Sequence, residues 1–266
     1  MFRKIFLVAI FAIVALSIAA RDFTEDKNVP YRQGAERCVM DIYHPTTPGE
    51  QLPVIIWFHG GGLTGGKKSV PKQLKTGNYV VVAPEYRLIP DVEIEDCIDD
   101  AALATTWVIN NITKLGGDTT KIFVAGHSAG GYLTSMIGLD KSWLKKYGKD
   151  ADSLAGLIPF SGQVITHFAQ RKRNGISVLT PTIDSLAPLF HVRKDAPPYV
   201  IITSDRELEL YGRYEENAYM WRMLKLVGHP YVYIYELGGY NHGQMAAPAH
   251  HILKNHIKAI LDSRQQ

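Results

Sequence analysis

The sequence predicts an α/β protein with a mostly parallel central sheet covered by helices on both faces. Three observations predict it. Short apolar runs recur along the chain at Val54 to Phe58, Tyr79 to Ala83, Ile122 to Ala125, Leu157 to Phe160, Tyr199 to Thr203 and Tyr231 to Tyr235. Each is too short for a helix, and a continuous apolar run bounded by turn residues suits a strand buried on both faces. Segments of helical period lie between several of them, as strand-helix-strand crossovers require. The third is size: 266 residues with 46% hydrophobic and 21% charged residues suffice for one well-buried domain but not for two full-sized ones.

Arg21 to Asn28 is polar and reads as a loose N-terminal stretch, and Val39 to Tyr43 alternates as an antiparallel edge strand should. The run ending at Phe58 delivers the chain to His59-Gly60-Gly61-Gly62, a loop whose lack of side chains lets backbone N-H groups face a ligand. Lys67 to Lys75 is weakly helical, and a strand then ends at Pro84. Arg87, just past that strand, reads as a structural ion-pair partner. Asp91 and Glu93 favour a helix start, and Ile94, Cys97, Ile98, Ala101, Val108 and Ile112 recur near helical period up to Gly116. Val164 to Ala196 shows no long period and is read as a small lid over the strand ends, with Arg171-Lys172-Arg173 as a solvated basic face and an acidic-substrate contact as the alternative. Tyr214 to Val227 is helical, and a last amphipathic helix carries Ile252, Leu253, Ile257 and Ile260.

Gly126-His127-Ser128-Ala129-Gly130 follows the strand at Ile122 and precedes a helical pattern with Leu133, Met136 and Ile137. G-x-S-x-G between strand and helix makes a turn so tight that glycines are needed two before and two after the serine, whose hydroxyl is pushed out over the sheet edge. Ser128 is therefore the candidate nucleophile; a phosphate-binding βα turn is the plainer alternative. A serine hydroxyl needs a base to take its proton and an acid to hold that base in the right tautomer. In an open parallel sheet only loops after strand C-termini reach the site, and Asp205 and His242 stand in such loops, in the order serine, acid, histidine. Glu207 is the alternative acid. His127 is read as packed, His59 as orienting its glycine loop, and His167 and His191 as lid residues open to substrate contact.

The formal net charge of +3 includes Arg3 and Lys4, and the near-neutral remainder gives no argument for nucleic-acid binding. Met1 to Ala20 has the basic start, apolar core and small terminal residues of a secretory signal, which predicts a secreted or periplasmic protein; the apolar core falls below the roughly 20 residues of a spanning helix. Cys38 and Cys97 are the only cysteines; export would permit them to pair and the sequence leaves this open, with two buried free thiols the favoured outcome. No ligand cluster surrounds them, so no metal site is predicted.

Taken together, His59-Gly60-Gly61-Gly62, Gly126 to Gly131, Tyr86-Arg87-Leu88, Asp205 and His242 resemble the α/β-hydrolase superfamily, in the esterase and lipase branch related to hormone-sensitive lipase and small bacterial feruloyl-esterase-like carboxylesterases. The resemblance runs from about Met40 to Ile260. It implies an α/β-hydrolase fold, an oxyanion hole built from the N-H groups of Gly61, Gly62 and Ala129, and serine ester hydrolysis without a cofactor. By the same analogy the substrates would be small-molecule or carbohydrate esters with short acyl groups, such as acetyl or feruloyl groups on plant polysaccharide. Amide hydrolysis by the same triad, and a catalytically silent binding domain of the same fold, are the rival readings. Oligomeric state is left open.

Overall fold

The computed structural model describes residues 22–47 and 49–264, so the N-terminal signal reading lies outside the described residues. One sheet of eight strands runs in the order β1-β2-β4-β3-β5-β6-β7-β8. The strands are β1 (Phe23–Pro30), β2 (Val39–Pro45), β3 (Leu52–Phe58), β4 (Val80–Pro84), β5 (Gly117–His127), β6 (Gly156–Phe160), β7 (Tyr199–Ser204) and β8 (Val232–Leu237). From β4 to β8 all neighbours are parallel, and β1 and β2 are antiparallel additions at one edge. The helices are α1 (Ile94–Asn111), α2 (Ala129–Leu139), α3 (Lys141–Lys145), α4 (Phe168–Arg173), α5 (Arg213–Leu226) and α6 (Ala246–Ser263).

Alternation along the interior strands splits the core between the two faces. Val54, Ile56 and Phe58 of β3, Val80 and Val82 of β4, and Ile122 and Val124 of β5 pack with α1 and α2. Their intervening neighbours Ile55, Trp57, Val81, Phe123 and Ala125 pack with Leu253, Ile257 and Ile260 of α6. Burying such a side chain contributes roughly 1.5 to 3 kcal/mol, so strands apolar at every position are stable only where both faces are covered.

Two expectations at the N-terminal edge are corrected. Residues 23–30 are not loose: they form the true edge strand β1, paired antiparallel to β2 from Phe23↔Pro45 to Pro30↔Val39. Its sequence looks like coil because most of its positions face solvent; the backbone ladder and the stacking of Phe23 on Tyr43, with centroids 4.7 Å apart, hold it instead. The strand at Val39 is consequently an interior one, flanked by β1 and β4. Arg87 is the structural cation expected: its Nε and Nη2 donate to the two carboxylate oxygens of buried Asp100 at 2.7 and 2.9 Å. Among the described residues no helix is long and apolar enough to cross a membrane, and no group of three or more side chains is placed to hold a metal ion.

Candidate active site

β5 ends at His127 and α2 begins at Ala129, so Ser128 alone makes the turn, with φ 56° and ψ −114°. A non-glycine residue in that region costs of order 1 to 3 kcal/mol and persists only where its surroundings impose it. They do so here through close backbone packing. A Cβ on Gly126 would lie 2.5 Å from the Gly130 carbonyl carbon, and one on Gly130 would lie 2.0 Å from the Phe58 oxygen, so neither glycine tolerates a side chain. The Ser128 N-H donates to Phe160 O at 2.8 Å, fastening the turn to the end of β6. The serine thus sits at the carboxyl edge of the sheet, 9% exposed.

The glycine loop after β3 lies directly against the turn, since a Cβ on Gly60 would be 3.3 Å from Ser128 Cβ. Gly61 and Gly62 have φ 122° and 65°, backbone that L side chains rarely adopt. His59 steadies this loop as expected. Its Nδ1 donates to Gly60 O at 2.7 Å, its Nε2 meets Glu85 Oε1 at 2.9 Å, and its ring stacks on Tyr86, whose hydroxyl donates to His59 O at 2.8 Å.

His242 lies in the loop between β8 and α6, and its Nδ1 donates to Glu209 Oε1 at 2.6 Å. This corrects the expected acid. Asp205 is in the same loop after β7 but spends both oxygens on backbone: Oδ1 accepts from Glu207 N at 2.9 Å and Oδ2 from Gly239 N at 2.7 Å. With its own N-H donated to Tyr240 O at 3.0 Å, Asp205 ties the β7 loop to the histidine loop rather than touching the imidazole. Glu207, the alternative acid, is exposed. The loop turns back at Leu208, whose N-H reaches Asp205 O at 3.0 Å, and this brings Glu209 inward over the sheet edge.

Glu209 is held from both ends. One oxygen takes the His242 N-H, and the other accepts the hydroxyl protons of Ser161, at 2.7 Å, and Ser204. Its side chain is 1% exposed. Burial pushes its pKa up, but hydrogen bonds from His242 and Ser204 and the nearby imidazole outweigh this and bring it from the ordinary 4.5 down to about 2. With Nδ1-H engaged, Nε2 is the basic nitrogen of the His242 ring.

His127 is packed, as expected, yet it also serves the loop. Its Nε2 donates to His242 O at 2.8 Å and its ring lies 4.7 Å from the His242 ring. A carbonyl only accepts, so the proton of this ring is on Nε2; burial, and then the neighbouring His242, lower its pKa to about 4 and keep it neutral.

A strained serine, a histidine oriented by a buried ionised carboxylate and a glycine loop at one edge of a parallel sheet are the features of an α/β-hydrolase fold. Within it, the chain belongs to the BD-FAE family, whose model matches residues 40–209. A stretch of 118 residues is 34% identical to "Carboxylesterase NlhH" of Mycobacterium tuberculosis, covering 42% of this chain and 37% of that protein. "Esterase LipI" of the same species is 38% identical over 103 residues, 36% of this chain and 32% of the relative. The chain therefore spans about a third of the length of these relatives. Among solved structures, a "Truncated form of carbohydrate esterase from gut microbiota" superposes with a TM-score of 0.77 at 16% identity, over 93% of this chain and 98% of that one. "ESTERASE B from Lactobacillus Rhamnosis" superposes with 0.73 at 18% identity, over 93% and 89%; at these identities the likeness is one of fold.

Ser128 and His242 stand out in the sequence, and Glu209, which meets His242 Nδ1, does not. The loop after β7 carries Asp205, Glu207 and Glu209 at alternate positions. Nothing in spacing says which of three acids turns inward. The hydrogen bonds to Glu209 from Ser161, just past β6, and from Ser204, at the end of β7, emerge only once the chain is folded.

Proposed function

We propose that this protein is a serine esterase that cleaves carboxylic esters through an acyl-enzyme on Ser128. The observation that carries the reading is the buried, ionised Glu209 on His242 Nδ1, at the sheet edge where Ser128 is presented. In this mechanism His242 Nε2 takes the Ser128 proton as the oxygen attacks the ester carbonyl, and Glu209 stabilises the imidazolium that forms. The N-H groups of Gly61, Gly62 and Ala129 receive the negative charge on the carbonyl oxygen; losing one such donor typically costs about 10² to 10³ in rate. The alcohol leaves with the proton from His242, water repeats the sequence on the acyl group, and no cofactor takes part.

Segment 164–196 serves as the lid, and its anchoring supports a fixed wall. The Glu216 carboxylate accepts the N-H groups of Val164 and Ile165 at 3.1 and 3.0 Å, and Tyr132 Oη donates to Leu186 O at 2.8 Å. Short acyl esters fit this reading, with acetyl or feruloyl groups on carbohydrate favoured by the family and by the fold shared with a carbohydrate esterase. The basic and apolar character of Met1 to Ala20 supports export to the periplasm or the exterior.

Hydrolysis of a 4-nitrophenyl ester series, acetate to decanoate, by the wild type and by Ser128→Ala tests the reading. Acetate cleavage that vanishes in the variant is expected. A matched anilide cleaved faster than the ester would replace it with amide hydrolysis, and inertness of both proteins on every ester would leave a silent binding domain.

A further inference from the structure

Arg171 belongs to the basic run expected to be solvated, yet it is only 3% exposed. The correction has a clear geometric cause. Nε donates to Thr166 O at 2.9 Å, and Nη1 donates to Val178 O and Thr180 O at 2.8 Å each, so the guanidinium plugs the lid from inside while Lys172 and Arg173 point outward. Carbonyls orient a guanidinium but bring no charge. Among the described residues Arg171 makes no ion pair, and the hydrogen bonds described for it use Nε and Nη1 but not Nη2.

Carboxylates stand near Arg171, and Glu216 attracts it more than Arg213 repels it, but none among the described residues is bonded to it and most have partners of their own. Arg213, also 3% exposed, has a single carboxylate partner, Glu216 at 3.0 Å, and that carboxylate is shared with the two lid N-H groups. Glu209 is taken by His242 and two serines, and Asp184 by Thr166 Oγ1 and Leu186 N. Glu215 is exposed at the outer mouth. His167 is packed between Tyr132 and Phe168; burial first, then the charges of Arg213 and Arg171, hold its pKa well below the ordinary value. A buried cation without a directly bonded counter-ion is costly, and a ligand carboxylate would supply one.

Both guanidinium groups line one cavity of about 220 Å³, with Gln163, Phe168, Leu210 and Tyr211. It opens beside the reacting centre. The Phe168 ring lies 2.9 Å from where a Cβ on Gly62 would stand, and Leu210 directly follows Glu209. An outer cavity of about 420 Å³ continues from it past Arg171 and Tyr211, walled by Leu179, Ile183 and Tyr219.

We propose that this cavity binds a carboxylate carried by the ester substrate, on its acyl or its alcohol half, with Arg171 as the specificity-determining residue and Arg213 as its support. The proposal rests on the serine-esterase reading of Ser128. A guanidinium recognises a carboxylate through parallel N-H donors, and the apolar wall beyond it accommodates the rest of the substrate.

Two matched pairs of esters test it. Mono-4-nitrophenyl glutarate against 4-nitrophenyl valerate places the charge on the acyl half, and 4-butyryloxybenzoate against phenyl butyrate places it on the alcohol half. In the wild type one pair is expected to favour the charged member roughly ten-fold or more in kcat/KM, with the preference lost in Arg171→Gln and partly kept in Arg171→Lys. No preference in either pair, or a preference untouched by Arg171→Gln, would overturn the proposal. Because Arg171 also ties the lid together, Arg171→Gln can fail to fold; the wild type then decides, through glutarate inhibiting neutral-ester turnover at roughly ten-fold lower concentration than neutral glutaramide, with equal potency as the refuting result. Should the wild type cleave no ester at all, the esterase reading fails separately, and calorimetric titration of the same two compounds into Ser128→Ala still tests the site: heat with glutarate alone supports it, and no heat with either refutes it.

Discussion

Glu209 carries a role that proximity in sequence assigns equally well to Asp205. Removing its charge while keeping its shape leaves His242 without the anion that fixes its tautomer, so Glu209→Gln is expected to lower kcat by about 10³ to 10⁴. Asp205→Asn keeps an acceptor for the Gly239 N-H and is expected to lower kcat by less than about ten-fold. Parallel kinetics of the two variants on one ester check this, and the reverse order would mean that Asp205 swings onto the imidazole in solution. The same substitution has a signature in stability. The folded pKa of Glu209, about 2, lies below its ordinary 4.5, so its ionised form stabilises the fold above pH 4.5, and that contribution is lost as pH falls from there toward 2. Acid denaturation should therefore erode the wild type more steeply than Glu209→Gln across that window.

The turn at Ser128 shows how an element, rather than a residue, carries strain. Its positive φ is imposed by β5 and α2 closing on β3 and β6, and that closure depends on bare backbone at Gly126 and Gly130. Gly130→Ala should cost about 3 kcal/mol or more and remove activity with it, since a 2.0 Å approach to the Phe58 oxygen is relieved only by moving strand or helix. Thermal denaturation beside an activity assay reads both effects; an active variant of unchanged Tm would show that the turn relaxes without moving its neighbours. This element was legible because its glycines and serine are local. The edge strand β1 was not, because solvent-facing positions erase the alternation that marks a strand and only pairing with β2 reveals it. Nor was the burial of Arg171, which depends on carbonyls up to nine residues further along the lid.

At the scale of the whole molecule, the sheet divides the apolar residues into a core on each face, and both cysteines lie in the one beneath α1. They are free and fully buried. Burial, then the neighbouring Asp100 carboxylate, raises Cys38 to about 11 and Cys97 to about 12, so neither thiolate is populated near neutral pH. A disulfide-exchange reagent at pH 8 should label neither in the native protein and both after unfolding in denaturant. Rapid labelling of either under native conditions would mean that α1 opens readily from the sheet.

By itself the sequence determined the fold class, the strand that presents Ser128, the glycine loop beside it and the loop that carries His242. Each of these is written in local chemistry: apolar runs that need two covered faces, glycines that permit a tight turn, and a histidine just past a strand end. Only the tertiary structure decided which acid meets the histidine, which polar stretch is an edge strand, and which arginine of a basic run is buried. Those outcomes depend on where a loop folds back and on partners far along the chain, at distances of 2.6 Å for Glu209 and His242 and 2.8 Å for Arg171 and Thr180, and no spacing in sequence encodes them.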